Sequence, residues 1–372
     1  MKDQAKEGLA PKYEYTHGGD IYDKNGIAEK NMLDFSANIN PLGIPQEALR
    51  TAKNALDRAN IYPDSGNRLL ISKLSEFEAV ATSSILCTNG ASDILFRLVF
   101  AVKPQRILVA APSFADYERA GRAAGAEIIY YMLKKENGFN IENDIIDAIH
   151  VAAPDIVFLC NPNNPTANLT NAGLIEKIAA TCETLNSLLL VDECFLDFVD
   201  DAPNYSAKPW LERYKILVVL KAFTKTFAMP GLRLGYALCA DLTLLDRLKF
   251  CGPDWAVSNV AQEAGIAALE NGTSYLETTR EYVKNERDYL TRELASIGMT
   301  VYPSKTNFIF FHCPYNNNLD GELRQRGIAI RNCANFPGLE PGYFRLAVLT
   351  SAKNHMLIQI IKEVMALWQS RS

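Results

Sequence analysis

The sequence predicts an α/β protein whose larger part is a mostly parallel sheet covered on both faces by helices, followed by a smaller α+β part. Continuously apolar runs recur at RILVAA (106–111), EIIYYM (127–132), DIVFLC (155–160), LLLVD (188–192) and ILVVL (216–220). Longer amphipathic segments such as GLIEKIAATCETL (173–185) stand between them. A strand that is apolar on both faces must be buried on both, which is the condition of a parallel sheet with crossover helices. After residue 260 the pattern changes. Helical AQEAGIAALE and YLETTREYVKNERDYLTRELASIG (275–298) lead to short strand-like runs, TNFIFFH (306–312) and YFRLAVLT (343–350), and to a closing helix, LIQIIKEVMALW. We therefore expect an N-terminal arm over 1–45 that joins the smaller part, a large domain over 46–260, and a small α+β domain over 261–372.

Length and composition agree with this division. At roughly 150 residues per domain, 372 residues suggest two or three units, and two if one is a large α/β sheet. Hydrophobic residues make up 48% and charged residues 22%, the balance of a globular chain and not of a disordered one. A formal net charge of −5 offers no broad basic surface, which argues against a general nucleic-acid or anionic-membrane binder and leaves any anionic ligand to a few local cations. The 8 cysteines are scattered without a CxxC pair, several of them inside apolar runs, as reduced core thiols would be. The N-terminus lacks the apolar core of a secretory leader, and no window reaches the ~18 apolar residues of a membrane span, so a cytoplasmic protein is expected. The polar YNNN at 315–318 reads as a solvent-facing turn.

In an open parallel sheet, ligands bind beyond the carboxyl ends of the strands. Runs ending near Cys160, Val191 and Leu220 are about one βαβ unit apart, and NPNNPT (161–166), Asp192 and KAFTKTFAMPGLRLGY (221–236) follow them. Spacing thus brings an amide, a carboxylate and an amine to one place. Asn89, Gly90, Ala91 and Ser92 open a helix after a short strand, where N–H groups and a hydroxyl make an anion cradle, although NGxS is also a common turn. Phe114, beyond another strand end, can stack on a flat ring or pack in the core. Asp192 ends an apolar strand, a costly place for a carboxylate unless it caps the next segment or meets a cation such as a protonated pyridine nitrogen.

Lys225 follows Thr224 beyond a buried strand. Lost hydration there lowers an amine's pKa and makes it a nucleophile for an imine, though a snorkelling lysine would look the same. Arg233, between glycines in GLRLG, can grip a phosphate bidentately or form a surface ion pair. Lys221 has no assignment. Arg331 and Arg345 stand beside apolar residues that suggest strand ends of the small domain, and two half-buried guanidiniums call for two anions or for structural salt bridges. His17, before two glycines, is a ligand or a solvated side chain. An imine lysine, a carboxylate for a ring nitrogen, an aromatic for a ring face and donors for a phosphate together describe pyridoxal 5′-phosphate.

NPNNPT (161–166), VDECF (191–195) and FTKTFAMPGLRLGY (223–236), in that order, resemble the fold-type-I pyridoxal-phosphate enzymes, the histidinol-phosphate aminotransferase group in particular, over nearly the whole chain. THGGDIY (16–22), LDFSANINPLG (33–43), YPD (62–64) and RNCANFPGLEPGYFRLAV (331–348) are similar to the threonine-phosphate decarboxylase branch of that superfamily. That branch converts O-phospho-L-threonine to (R)-1-amino-2-propanol phosphate in cobalamin biosynthesis. The resemblance implies that Lys225 carries the cofactor and Arg233 holds its phosphate, with Gly90, Ala91, Ser92, Phe114, Asn164, Asp192 and Thr224 around it. It also implies a homodimer in which Tyr62 reaches the cofactor phosphate of the neighbouring subunit. Arg345 with Asn164 would bind the substrate carboxylate, and Arg331, His17, the Gly18 backbone and Asn38 the substrate phosphate.

Three positions depart from the commoner pattern. Ala167 replaces the glycine of NPTG, and Ala222 stands where relatives often carry a phosphate-contacting serine. Phe195 stands where aminotransferases commonly have a tyrosine that donates to the ring oxygen, and here it matches the decarboxylase branch. The expected activity is decarboxylation of O-phospho-L-threonine, with phosphoserine left open, since the two differ by one methyl. The alternative is a histidinol-phosphate-type aminotransferase. A pyridoxal-phosphate-binding regulatory module would call for a basic helix-turn-helix extension, and the sequence has none.

Overall fold

The computed structural model describes residues 17–369 apart from 23–24, 30 and 316–317. The first part of the expected N-terminal arm, Thr16 of THGGDIY, Asn316 and Asn317 of the predicted turn and residues 370–372 lie outside the described residues. In chain order the strands are Leu33–Asp34 (β1), Ile85–Thr88 (β2), Arg106–Ala111 (β3), Glu127–Met132 (β4), Ile156–Cys160 (β5), Leu188–Asp192 (β6), Leu217–Ala222 (β7) and Gly235–Cys239 (β8), then Thr300–Val301 (β9), Phe308–His312 (β10), Ile328–Ala329 (β11), Arg331–Asn332 (β12) and Tyr343–Ala347 (β13).

The largest sheet has 7 strands in the order β2-β8-β7-β6-β5-β3-β4. The five apolar runs of the sequence are β3 to β7, and they pair with one another in parallel. Alternate residues of these strands enter separate cores. Leu108, Val157, Leu189 and Val219 pack with Ile149 and Ile178 on one face, while Ile107, Phe158, Leu190 and Val218 pack with Leu98 and Leu245 on the other. This two-sided burial is why the runs show no polar alternation. β8, which the sequence reading does not single out, runs antiparallel to both β2 and β7. Only two short helical turns, Phe223–Thr226 and Pro230–Leu232, separate it from β7. Neither is long enough to cross the sheet, so the chain doubles back.

A second sheet, ordered β12-β13-β10-β9 and antiparallel throughout, packs against the helices Gly272–Ser296 and Ser351–Gln369 through Val283, Leu290, Phe308, Phe344 and Ile361. β1 pairs in parallel with β11, and Phe35 beside it enters the same core. The carboxyl ends of β2, β3, β5, β6 and β7 therefore open toward β12 and β13, with His17, Gly18 and Ser36 to Asn38 at the gap, and one cavity is lined from all of these segments.

Candidate active site

That cavity has a volume of about 390 Å³, within the usual range of small-molecule sites. The strand ends deliver functional groups to it. β5 delivers Asn164, β6 Asp192, and β7 Thr224 and Lys225. β3 supplies Phe114, and β2 leads to Ala91 and Ser92. Arg233 enters from the turn before β8, Arg331 and Arg345 from β12 and β13, and His17, Gly18 and Asn38 from the N-terminal segment.

The electrostatics of the two central groups suit an imine and a pyridine. Burial, then repulsion from the Arg345 guanidinium, pushes the Lys225 amine down to about 8, with Arg233 adding to the effect. Asp192 is buried, and desolvation raises its carboxyl above the ordinary range although the Tyr117 hydroxyl (2.7 Å) and the Cys194 N–H (3.0 Å) both donate to it. A carboxylate raised in this way gains from a cation brought into the cavity.

The place where a phosphate is expected depends on a glycine. Gly90 has φ +80°, and a Cβ there would lie 2.6 Å from the Arg233 guanidinium. Its absence lets that guanidinium approach the start of the helix Ala91–Val102, where the first N–H groups have no intrahelical partner. A helix N-terminus and a guanidinium thus meet at one place, with Ser92 in the same lining. Gly90 itself is not part of the cavity lining.

The small sheet presents a second cationic place, suited to an anion. Arg331 and Arg345 are direct cross-strand partners in the β12–β13 register, where like charges destabilise the pair. Arg345 is buried and pushed down to about 10, chiefly by desolvation. Its Nη1 donates to Asn164 Oδ1 and its Nη2 to the Ser36 carbonyl (2.6 Å), but Nε has no hydrogen-bond partner and no described carboxylate pairs with it. Arg331 donates to Asn335 Oδ1 (2.7 Å) and lies over the Phe336 ring. Asn38 is 1% exposed, and neither its Nδ2 nor its Oδ1 has a protein partner. At Gly18 an added Cβ would meet the Ser36 carbonyl at 2.1 Å, so only glycine lets the chain pass here.

Two of the groups that shape the cavity are absent from the sequence reading. Asp116 accepts from His17 Nε2 (3.0 Å) and from the Ser92 hydroxyl (2.8 Å), and Tyr117 holds Asp192. Burial lifts the Asp116 carboxyl, but its bond with His17 brings it below the ordinary range. Both residues follow Phe114 in APSFADY, and that position beyond a strand end is the signal that could have found them. Tyr62 lies outside the cavity of its own chain, 78% exposed and stacked on Trp255. Lys221 also lies outside it, buried in ion pairs with Glu78 and Asp197. Ala222 is buried in the lining. Ala167 holds the positive φ (+64°) that a glycine would adopt without strain.

The family model for aminotransferase class I and II matches residues 30–361. The chain belongs to this family. Its members depend on pyridoxal phosphate, and this chain is a pyridoxal-phosphate-dependent enzyme of fold type I. A threonine-phosphate decarboxylase of Salmonella typhimurium is 34% identical, with the alignment covering 94% of this chain and 96% of the relative. A histidinol-phosphate aminotransferase of Caldanaerobacter subterraneus subsp. tengcongensis is 31% identical over 93% of this chain and 96% of the relative. The solved histidinol-phosphate aminotransferase of Clostridium acetobutylicum superposes with a TM-score of 0.83 at 29% identity, covering 90% of this chain and 99% of that one. The donor set fits the cofactor: a depressed amine, a raised carboxylate and a glycine-cleared anion cradle occupy one cavity.

Proposed function

We propose that the enzyme decarboxylates a phosphorylated α-amino acid, O-phospho-L-threonine in the first place, to give 1-amino-2-propanol phosphate, the linker used in cobalamin assembly. The observation that carries this reading is the pair of opposed arginines, Arg331 and Arg345, joined in the cavity by His17 and the unpartnered Asn38. A substrate with a carboxylate and a phosphate answers both guanidiniums at once. The 34% identity to a threonine-phosphate decarboxylase over nearly the whole chain supports the same choice. So does Phe195, buried at the cavity with its ring 6.0 Å from Lys225 Nζ, where it has no hydroxyl to donate.

Pyridoxal phosphate supplies an electron-withdrawing ring conjugated with the substrate α carbon. Lys225 is the residue that attaches it, and its depressed amine moves a proton to or from the α carbon. Asp192 keeps a proton on the ring nitrogen, held for that task by Tyr117 and the Cys194 N–H. Ser92, its hydroxyl turned from Asp116, the Ala91 N–H, Thr224 and Arg233 would hold the cofactor phosphate, and Phe114 would lie against the ring. Arg345 with Asn164 binds the substrate carboxylate, while Arg331, His17, the Gly18 N–H and Asn38 bind its phosphate. Asp116 orients His17. These contacts would choose the bond to be broken, because they fix how the substrate's α carbon is held in the cavity.

The test is turnover of O-phospho-L-threonine without any keto acid. Many turnovers with release of carbon dioxide and aminopropanol phosphate are expected. Turnover that stops near one per site and resumes on adding 2-oxoglutarate would instead establish the aminotransferase reading. Phosphoserine and histidinol phosphate in the same assay fix the substrate. The cytoplasm is the compartment that suits reduced cysteines, and no disulfide joins the described ones.

A further inference from the structure

Lys221, which the sequence leaves without a role, anchors a polar cluster outside the cavity. It is buried on β7, with its Nζ 2.9 Å from Glu78 Oε1 and 2.9 Å from Asp197 Oδ1. Glu78 also accepts from the Tyr236 hydroxyl (2.5 Å) and from Lys208 (3.0 Å). A buried ion pair is weak evidence for stability, since desolvation offsets most of the attraction, but it does impose a geometry.

That geometry reaches the turn that bears Lys225. The second oxygen of Asp197 accepts from the Thr226 hydroxyl (3.1 Å), and its carbonyl accepts from Arg280 on the helix Gly272–Ser296 (3.2 Å). Thr226 follows Lys225 in the helix Phe223–Thr226, a single turn that cannot set its own orientation. Asn40 holds the same turn elsewhere, donating from Nδ2 to the Thr226 carbonyl (2.8 Å) and from its N–H to the Lys225 carbonyl (3.2 Å). Asp197 belongs to the segment that begins at Asp192 and carries Phe195. One amine therefore joins the segment that supplies the ring-nitrogen carboxylate to the segment that supplies the attaching lysine.

We infer that Lys221 is a positioning residue: through Asp197 and the Thr226 hydroxyl it fixes the turn that presents Lys225 to the cavity, in register with Asp192. It touches neither cofactor nor substrate. The inference rests on attachment of the cofactor at Lys225 and not on the reaction that follows, so a failed decarboxylation assay leaves it standing.

Thr226→Val tests it with the least disturbance, because it deletes one hydroxyl and strands no charge. The variant is expected to fold, with its melting temperature lowered by a few degrees, while its dissociation constant for pyridoxal phosphate rises roughly tenfold, the loss of one hydrogen bond to a charged group. Its visible circular dichroism, which reports the setting of the bound ring, changes as well. Lys221→Met should show both effects more strongly, and Lys221→Arg, which can still span both carboxylates, should restore most of the signal. Wild-type dichroism and affinity in Thr226→Val overturn the inference, and that variant decides alone if Lys221→Met does not fold.

Discussion

Lys225 and Lys221 stand four residues apart at one strand end, and their surroundings drive their amines in opposite directions. Burial is the largest influence on both and disfavours the charge. Around Lys221 the carboxylates of Asp197, Glu78 and Glu193 outweigh it and hold the amine well above its ordinary value. Around Lys225 the guanidiniums of Arg345 and Arg233 add to it, and the amine falls to about 8. An amine with a folded pKa of about 8 and an ordinary value of 10.5 binds fewer protons folded than unfolded between those limits. Its burial therefore costs stability that is fully present below about pH 8 and is relieved as pH rises toward 10.5. In the apoprotein, Lys225→Met should be more stable than wild type near pH 7 by on the order of 1–3 kcal/mol, with the gap closing near the upper limit. Urea unfolding of both apoproteins across this range checks it, and a gap independent of pH would place the charge of Lys225 outside the effect.

At the scale of elements, the β12–β13 pair sets two arginines directly opposite each other, an arrangement that a sheet favours only when anions join it. Arg331→Gln should lower kcat/KM for phosphothreonine by roughly 10–100-fold, the loss of a charge-assisted bond, and leave the cofactor's absorbance intact. Inorganic phosphate should raise the melting temperature of the wild type more than that of the variant. Equal loss of cofactor would mark Arg331 as structural. The strands behind this site are legible in sequence because two-sided burial writes unbroken apolar runs, as in β5 and β6. Asp192, Lys225 and Arg345 are legible because a charge at the edge of such a run stands out. Asp116 is not, because its bond to His17 joins residues 99 apart and an acid in a helix's first turn looks ordinary. Lys221 stands out equally as a buried cation, but its partner Asp197 lies 24 residues away and Glu78 in another helix, so sequence shows the charge without the reason for it.

At the scale of the whole molecule, a single chain leaves part of its predicted machinery out of reach. Tyr62 is 78% exposed, its ring stacks at 4.5 Å on Trp255, itself 47% exposed, and it does not line the cavity of its own chain. Leu56 (59%), Ile61 (60%) and Leu69 (60%) on the same stretch are exposed as well. Large apolar side chains in such density along one segment are what a second copy of the chain would cover. If Tyr62 serves the partner's cofactor phosphate, each site takes Lys225 from one subunit and Tyr62 from the other. Tyr62→Ala should then weaken cofactor binding, and Lys225→Ala should abolish turnover. A hybrid of the two variants restores one complete site, because the Tyr62→Ala subunit still supplies Lys225 and the Lys225→Ala subunit still supplies Tyr62. An equal mixture, unfolded and refolded together at limiting pyridoxal phosphate, should recover about a quarter of wild-type activity, half of the dimers being hybrid with one good site each. Recovery no greater than the sum of the two variants measured separately would show that each cavity is completed within its own chain.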